Sequence, residues 1–214
     1  LKEAIERMAK IKGSRHLDVV HAWNTLGALY GDQGRYADAE IVYLDVLDIL
    51  ASLHGPNHVE LVFVLNNLGD VAVRQGHFAD ARRFLERALV ILDENKDVTR
   101  PREPVVHNLG RAFAGLGDRE RAARYLGEAL SLREQRLGPN HPDVANTLNT
   151  RAGLFASLGD VQQARADYEH SRESHLTHVL ETVQDALPVQ ADALRAAIAR
   201  HTALAGDGGN WWTA

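Results

Sequence analysis

The 11 histidines of this 214-residue chain first suggest a metal site. His54 and His58 are four residues apart, and His170, His175 and His178 follow at near-helical spacing. Zinc needs several ligands at suitable offsets, but no carboxylate recurs at a regular distance and no HExxH motif is present. His58 also belongs to a "GPNH" sequence that recurs later in the chain. We therefore predict that His58 is architectural, as are His16 and His141 at the same place in their turns, and that the chain binds no metal and no other cofactor.

The sequence motifs of common enzyme classes are also missing. The chain has no cysteine, which excludes a thiolate nucleophile, a thiolate metal site and a disulfide. The "GLG" at 115–117 has no third glycine and no preceding strand, and the "GDGGN" at 206–210 precedes no helix, so neither predicts a nucleotide site. No G-x-S-x-G sequence occurs. We predict that the chain is not an enzyme and has no small-molecule substrate.

Asparagine shows a more regular pattern. Asn24, Asn66, His107 and Asn149 follow one another at steps of 42, 41 and 42 residues. An asparagine amide offers a donor and an acceptor, so a ladder of such amides can pair with successive backbone amides of an extended peptide. The charged neighbours and His107 would then set specificity, and the alternative is a solvated polar face. The remaining members of this candidate peptide-binding groove are Asn67, Asp70, Arg74, Asn108 and Arg111.

A repeating unit of about the same length positions this ladder. Four stretches carry a glycine followed five residues later by an alanine, and the glycines lie 42, 41 and 42 residues apart. Each unit is predicted to form two helices, A and B, that reverse at the glycine, because glycine tolerates a positive φ after a helix. The small alanine lets the two helices approach closely. These residues are Gly34, Gly76, Gly117 and Gly159, with Ala39, Ala81, Ala122 and Ala164.

The apolar residues of the first unit follow helical spacing. Helix A is predicted over roughly residues 17–31, and its stripe occupies positions i, i+3, i+4 and i+7. Helix B continues with the same period. The stripe residues are Trp23, Leu26, Gly27 and Tyr30 on helix A, and Tyr36, Ala39, Tyr43 and Val46 on helix B. This pattern resembles the tetratricopeptide repeat, and the long step of about 42 residues resembles its kinesin-light-chain-like type.

The resemblance weakens along the chain. Repeat 4 has Arg151 where the signature has leucine, and we expect this side chain to extend to solvent. The matching residues of the later repeats are Leu68, Gly69, Phe78, Ala81 and Ala88 in repeat 2, Leu109, Gly110, Phe113, Ala122 and Ala129 in repeat 3, and Phe155, Ala164 and Tyr168 in repeat 4.

The resemblance implies an all-α fold, a right-handed α-solenoid of stacked helix-turn-helix repeats with a C-terminal capping helix. The stretch 1–20 aligns with 126–145, so its helix is the second half of a helix B whose exposed Ile5, Met8 and Ile11 would permit self-association. The predicted units within residues 1–205 are a partial repeat at 1–15, repeats at 16–57, 58–99, 100–140 and 141–182, and a capping helix at 183–205. Residues 206–214, with Trp211 and Trp212, are expected to form a mobile tail.

The turn between repeats explains the duplicated "GPNH" sequence. Gly138, Pro139 and Asn140 are predicted to form the turn, and Pro142 suits the first helical position, where no amide donor is needed. Asp143 then favours the positive end of the helix dipole.

The resemblance also implies a function. Tetratricopeptide proteins bind a partner peptide or protein surface in the concave groove that helices A line, so we expect a non-catalytic protein-interaction module. A lysine clamp for a C-terminal carboxylate is not expected, because Asn24 occupies its first position. The alternative is a regulatory arm of a larger bacterial effector enzyme, a caspase-like CHAT protease or a protein kinase, whose catalytic domain lies outside this chain. The sequence "RESHLTHVLETV" loosely resembles the junction to such a protease.

Bulk composition narrows the class of partner. A formal net charge of −5 argues against nucleic acid, whose binding requires a basic surface. No run of 18 apolar residues and no signal peptide is present, so we expect no membrane partner and a cytoplasmic location. Because the chain starts at Leu1 inside a predicted helix, we expect it to be part of a longer polypeptide.

Overall fold

A computed structural model describes residues 1–95, 101–186 and the three positions 195, 196 and 198. Its first two segments form nine α-helices and no β-strand. The helices are α1 (Lys2–Lys12), α2 (Leu17–Asp32), α3 (Tyr36–His54), α4 (Leu61–Gln75), α5 (Phe78–Glu94), α6 (Glu103–Gly115), α7 (Arg119–Leu137), α8 (Pro142–Ser157) and α9 (Val161–Ala186). The all-α prediction is confirmed.

Eight of these helices form four hairpins, each with an A helix and a B helix. The A helices are α2, α4, α6 and α8, and the B helices that follow them are α3, α5, α7 and α9. All four predicted reversal glycines adopt a positive φ, from 74° at Gly34 to 79° at Gly76. This left-handed conformation ends one helix and starts the next within a few residues.

Within the first three hairpins, a second glycine lets the A helix lie close to the B helix. A Cβ atom added at Gly27 would lie 2.6 Å from the Tyr43 ring, and one added at Gly69 would lie 2.4 Å from Leu85 Cγ. Gly110 has the same relation to Leu126, at 2.7 Å. The glycine therefore forms a notch that the large side chain of the B helix fills.

Successive hairpins stack because each B helix packs on the A helix that follows it, and the A helices also contact one another. Each A helix contacts the A helix of the next hairpin, whereas no two B helices of the described residues contact each other. Because the A helices are closer together, the array curves toward them, and their free face is the concave surface. Apolar side chains from α2 to α8 form one continuous core cluster through this stack.

The histidines of the inter-repeat turns accept backbone hydrogen bonds just before or at the start of helices. His16, His58 and His141 each accept a hydrogen bond through Nδ1 from the backbone N–H two residues later, at 3.1–3.2 Å. For His16 and His141 this amide lies in the first turn of the helix that follows, where it has no partner within the helix. His58 instead binds the amide of Glu60, the residue before α4. Their architectural role was predicted, and so was Pro142 in the first turn of α8.

Two predictions about side-chain exposure are wrong. Arg151 does not extend to solvent, because the buried carboxylate of Asp167 on α9 binds it through two hydrogen bonds of 2.7 Å. Ile5 is buried, since α1 turns this residue toward Val19 and Leu26.

The predicted capping helix at 183–205 also needs a correction at its start. Helix α9 runs without a break to Ala186, so residues 183–186 continue the last B helix. Most of the remainder of the predicted cap lies outside the described residues. The predicted tail at 206–214, with Trp211 and Trp212, lies wholly outside them.

Candidate functional site

The predicted asparagine ladder lies along the A helices, where its amides bind one another. Asn67 Nδ2 donates to Asn24 Oδ1 at 3.0 Å, and Asn108 Nδ2 donates to Asn66 Oδ1 at 3.1 Å. Each bond joins one hairpin to the next across the concave surface. The ladder is therefore partly structural, since each pair satisfies one acceptor and one donor within the protein.

These bonds give the ladder a polarity. The oxygens of Asn24 and Asn66 accept from the next hairpin, so their Nδ2 groups are the atoms left over. Within the described residues neither Nδ2 group has a protein acceptor. Both side chains are half-buried at the surface. The concave face thus presents N–H donors at these two positions.

An ion cluster centred on Asp70 lies one turn further along the same helices. Arg74 Nε donates to Asp70 Oδ2 at 2.8 Å, and Arg111 of the next hairpin binds the other carboxylate oxygen. Arg111 also donates to Asn108 Oδ1 at 2.9 Å, which connects the cluster to the ladder. Burial alone would raise the pKa of Asp70, but the hydrogen bonds from Arg74 and Arg111 outweigh burial and lower it below its usual value.

His107 occupies the ladder position of the third hairpin but differs from the asparagines. Its side chain is buried, with 6% exposure, and Nδ1 has no hydrogen-bond partner in the described structure. Burial, followed by the positive charges of Arg133 and Arg111, lowers the pKa of His107 to about 3. The imidazole is therefore neutral at physiological pH, and His107 is not available to bind a ligand as a cation.

The ladder changes again in the fourth hairpin. Asn149 is exposed, and within the described residues no side-chain hydrogen bond joins it to the third hairpin. Thr150, the neighbour that corresponds to Asn67 and Asn108, donates instead to the backbone oxygen of Asn146. The structure thus connects Asn24 and Asn66 with their donors Asn67 and Asn108 and with the Asp70 cluster. Within the described residues, His107 and Asn149 form no side-chain hydrogen bond in this network.

Sequence reasoning identified these residues but missed that they pair. The signal was present: Asn67 and Asn108 directly follow ladder positions, 43 and 42 residues after the asparagines that they bind. It also missed an aromatic contact on the same face. The rings of His21 and Phe63 are 5.9 Å apart, three residues before Asn24 and Asn66.

The described residues offer neither a metal site nor a membrane-spanning helix. Among the described residues, no three histidine, aspartate or glutamate side chains are grouped so that they could hold a metal ion. None of the described helices combines the length and the apolar character that crossing a membrane requires.

Comparison with known proteins supports the repeat architecture. The model of the tetratricopeptide repeat family matches residues 18–94 and 103–176, more than half of the chain. No curated protein matches the sequence.

Solved structures show the same fold at low identity. BtubC (BKLC) from P. vanneervenii is 23% identical, with a TM-score of 0.67 over 99% of this chain and 91% of that chain. A putative kinesin light chain from Podosopora anserina, with nearly identical TPR-like repeats, is 20% identical, with a TM-score of 0.64 over 83% of this chain and 84% of that chain. From the family match and this fold, the chain belongs to the tetratricopeptide repeat family and has the architecture of its kinesin-light-chain-like repeats.

Proposed function

We propose that the concave face of the A helices binds an extended peptide or a protein segment without catalysing a reaction. Tetratricopeptide repeats are in general protein-interaction modules, and curved helical arrays use their concave surfaces for binding. The interpretation as a regulatory arm concerns polypeptide outside these 214 residues and stays a prediction.

The polarity of the ladder carries the proposal. Asn24 and Asn66 keep free Nδ2 donors while their oxygens are bound to the next hairpin. An extended peptide offers backbone carbonyl oxygens at regular intervals, and these are the groups that such donors bind. The groove would therefore bind the carbonyls of its partner rather than its N–H groups.

The inter-hairpin bonds also hold the donors in place before a ligand arrives. The amides of Asn24 and Asn66 each have their oxygen fixed, which reduces the conformational entropy that is lost on binding. The Asp70 cluster adds a second connection between α4 and α6. Specificity would come from the residues beside the ladder, including His21 and Phe63.

The test is a substitution that removes the donors and keeps the inter-hairpin bonds. In a chain with Asn24→Asp and Asn66→Asp, one carboxylate oxygen can still accept from Asn67 or Asn108, while the other replaces Nδ2. Peptides selected on the unmodified chain from a random library should bind this variant about tenfold or more weakly, as expected for the loss of at least one hydrogen bond and the repulsion of carbonyls.

The matched control is Asn57→Asp, which makes the same change at an exposed turn between α3 and α4. Isothermal titration calorimetry measures the affinities, and circular dichroism checks that all variants remain folded. Equal affinity of the selected peptides for the unmodified chain and the Asn24→Asp, Asn66→Asp chain would show that the ladder donors do not bind the ligand.

A further inference from the structure

The two free donors of the ladder follow one another at the spacing of the A helices. Asn24 lies on α2 and Asn66 on α4, and these two helices contact each other. Helices in contact pack with their axes about 8–10 Å apart. Because Asn24 and Asn66 occupy equivalent positions in successive repeats, we expect their Nδ2 groups to be separated by about the same distance along the groove.

This spacing distinguishes between two conformations of an extended peptide. In a β-strand, carbonyl groups that point the same way recur at every second residue, about 7 Å apart. In a polyproline II helix they recur at every third residue, about 9 Å apart. A peptide whose carbonyls bind both Asn24 and Asn66 therefore matches the ladder better as a polyproline II helix than as a strand.

The paired amides of the ladder offer more donors than acceptors. The oxygens of Asn24 and Asn66 accept from the next hairpin, and the oxygen of Asn108 accepts from Arg111. Asn67 is the one paired amide whose oxygen accepts no side-chain hydrogen bond within the described residues.

A ligand rich in proline suits this imbalance. A strand of ordinary residues presents backbone N–H groups beside its carbonyls, and these N–H groups need acceptors. Proline keeps the carbonyl and has no N–H. A proline-rich segment therefore requires only the kind of group that Asn24 and Asn66 supply.

An aromatic pair lies one helical turn before the two donors. His21 and Phe63 precede Asn24 and Asn66 by three residues, and residues three apart share one side of a helix. The rings are 5.9 Å apart and tilted by 32°, with His21 exposed and Phe63 half-buried. Grooves that bind polyproline II segments are typically lined by aromatic side chains. The pair thus offers a surface for proline rings beside donors for their carbonyls.

We propose that the concave face binds a proline-rich segment in the polyproline II conformation, with carbonyls three residues apart bound to Asn24 and Asn66. Because it concerns the same donors, this proposal rests on the proposed function and adds the conformation and composition of the ligand. A polyproline II segment is already extended before it binds. Less conformational entropy is therefore lost on binding than with a flexible peptide.

The probe is fluorescently labelled decaproline, added to the full chain, and fluorescence anisotropy should show saturable binding. The matched control is the same peptide with D-proline at its two central positions. It keeps the composition, the carbonyls and the absence of N–H groups, but D-proline reverses the sign of φ and interrupts the left-handed helix. The control should bind about tenfold or more weakly, because its carbonyls no longer reach both donors at once.

Substitutions in the chain locate the binding. The Asn24→Asp, Asn66→Asp chain, which lacks both donors, should bind decaproline about tenfold or more weakly. Asn57→Asp makes the same change at an exposed turn and should leave the affinity unchanged. Circular dichroism checks that both chains have the fold of the unmodified chain.

The proposal would be overturned if decaproline did not bind, if the D-proline peptide bound equally well, or if the Asn24→Asp, Asn66→Asp chain bound decaproline undiminished. The peptides selected from a random library separate this failure from failure of the proposed function. If the double substitution weakens the selected peptides but decaproline does not bind, the groove binds a ligand of another conformation and the proposed function stands. If it weakens neither, the ladder donors bind no ligand and both proposals fail.

Discussion

The second and fourth hairpins share a backbone plan but hold their helices together with different side chains. In the second hairpin, Leu68 is buried and Leu85 fills the notch at Gly69. The contact is wholly apolar, and it requires a close match of shape between the two helices. The arrangement is repeated with Leu126 in the third hairpin.

The fourth hairpin replaces this contact with an ion pair. Arg151 stands in place of the leucine, and Ala152, which is buried, stands in place of the notch glycine. With the notch filled, Tyr168 is 48% exposed rather than buried. Asp167 binds Arg151 through two oxygens and also accepts from Gln163 Nε2 at 3.0 Å.

The same helical hairpin is thus stabilised either by an apolar notch or by a buried ion pair. An apolar notch requires a close fit, since interiors have few voids. A buried ion pair requires full hydrogen bonding, because the desolvation of both charges has to be offset. The fourth hairpin should therefore be sensitive to loss of a charge and the second to added volume.

The largest expected effect comes from Asp167→Ala. This change leaves the guanidinium of Arg151, whose side chain is only 20% exposed, without its carboxylate. Loss of one partner from a buried pair costs about 3–5 kcal/mol. Urea unfolding should show this loss, and hydrogen exchange should place it in α8 and α9, since repeat arrays are stabilised hairpin by hairpin.

A double substitution separates charge from packing in that experiment. Arg151→Leu with Asp167→Val installs the residues that the first hairpin has at these positions, Leu26 and Val42. Replacing a buried pair by apolar residues is often neutral or stabilising. If the double variant is as unstable as Asp167→Ala, the ion pair is not the source of the effect.

The next effect is expected from Gly69→Ala. The added methyl group would lie 2.4 Å from Leu85 Cγ, so the two helices would have to move apart. Overpacking of this kind costs about 1–3 kcal/mol, although alanine is the better helix former. The free energy of unfolding, measured by urea titration, reports the sum of the two effects.

Gly153→Ala is the matched control in the fourth hairpin. A Cβ atom at this exposed glycine would meet only Tyr168 Oη, at 4.0 Å. Helix propensity then dominates, and we expect stabilisation of about 0.5–1 kcal/mol. If Gly69→Ala and Gly153→Ala both lowered the free energy of unfolding, the two hairpins would not differ in packing as described.

The fold could be predicted well from the sequence because the repeat is defined by residues that determine the conformation of the backbone near them. Glycine at a fixed step, a proline at a helix start and apolar residues at helical spacing each act within a few residues of the chain. The Gly34 and Gly159 reversals and the Pro142 helix start were accordingly predicted at the correct positions.

The side-chain network was predicted less well because its bonds join distant residues. Arg151 was expected at the surface, since nothing at its own position indicates that Asp167 faces it from the next helix. His107 has the spacing of the ladder, but its burial depends on packing against other helices, and its pKa is also lowered by charges from α6 and α7. Spacing places a residue on a face, whereas pairing and burial depend on the neighbouring elements.

A pH-dependent effect tests the contrast between His107 and the ladder asparagines. Because the folded-state pKa of His107 is about 3, the unfolded chain binds its proton more readily below the ordinary value near 6.5. Stability is thus fully present above pH 6.5 and is lost as the pH falls toward 3. At pH 5.5 this one histidine should cost on the order of 1 kcal/mol relative to pH 8.

His107→Asn, which restores the residue type of Asn24 and Asn66, should remove that pH dependence. The measurement is the free energy of unfolding of both chains at pH 8 and at pH 5.5. The change between the two pH values in one chain is subtracted from the change in the other, so that the contributions of the other titrating groups cancel. The control is His77→Asn, which makes the same change at an exposed histidine at the start of α5. An identical pH dependence in His107→Asn and the unmodified chain would mean that the imidazole can bind its proton in the folded protein, and the third hairpin would then carry a cation beside the Asp70 cluster.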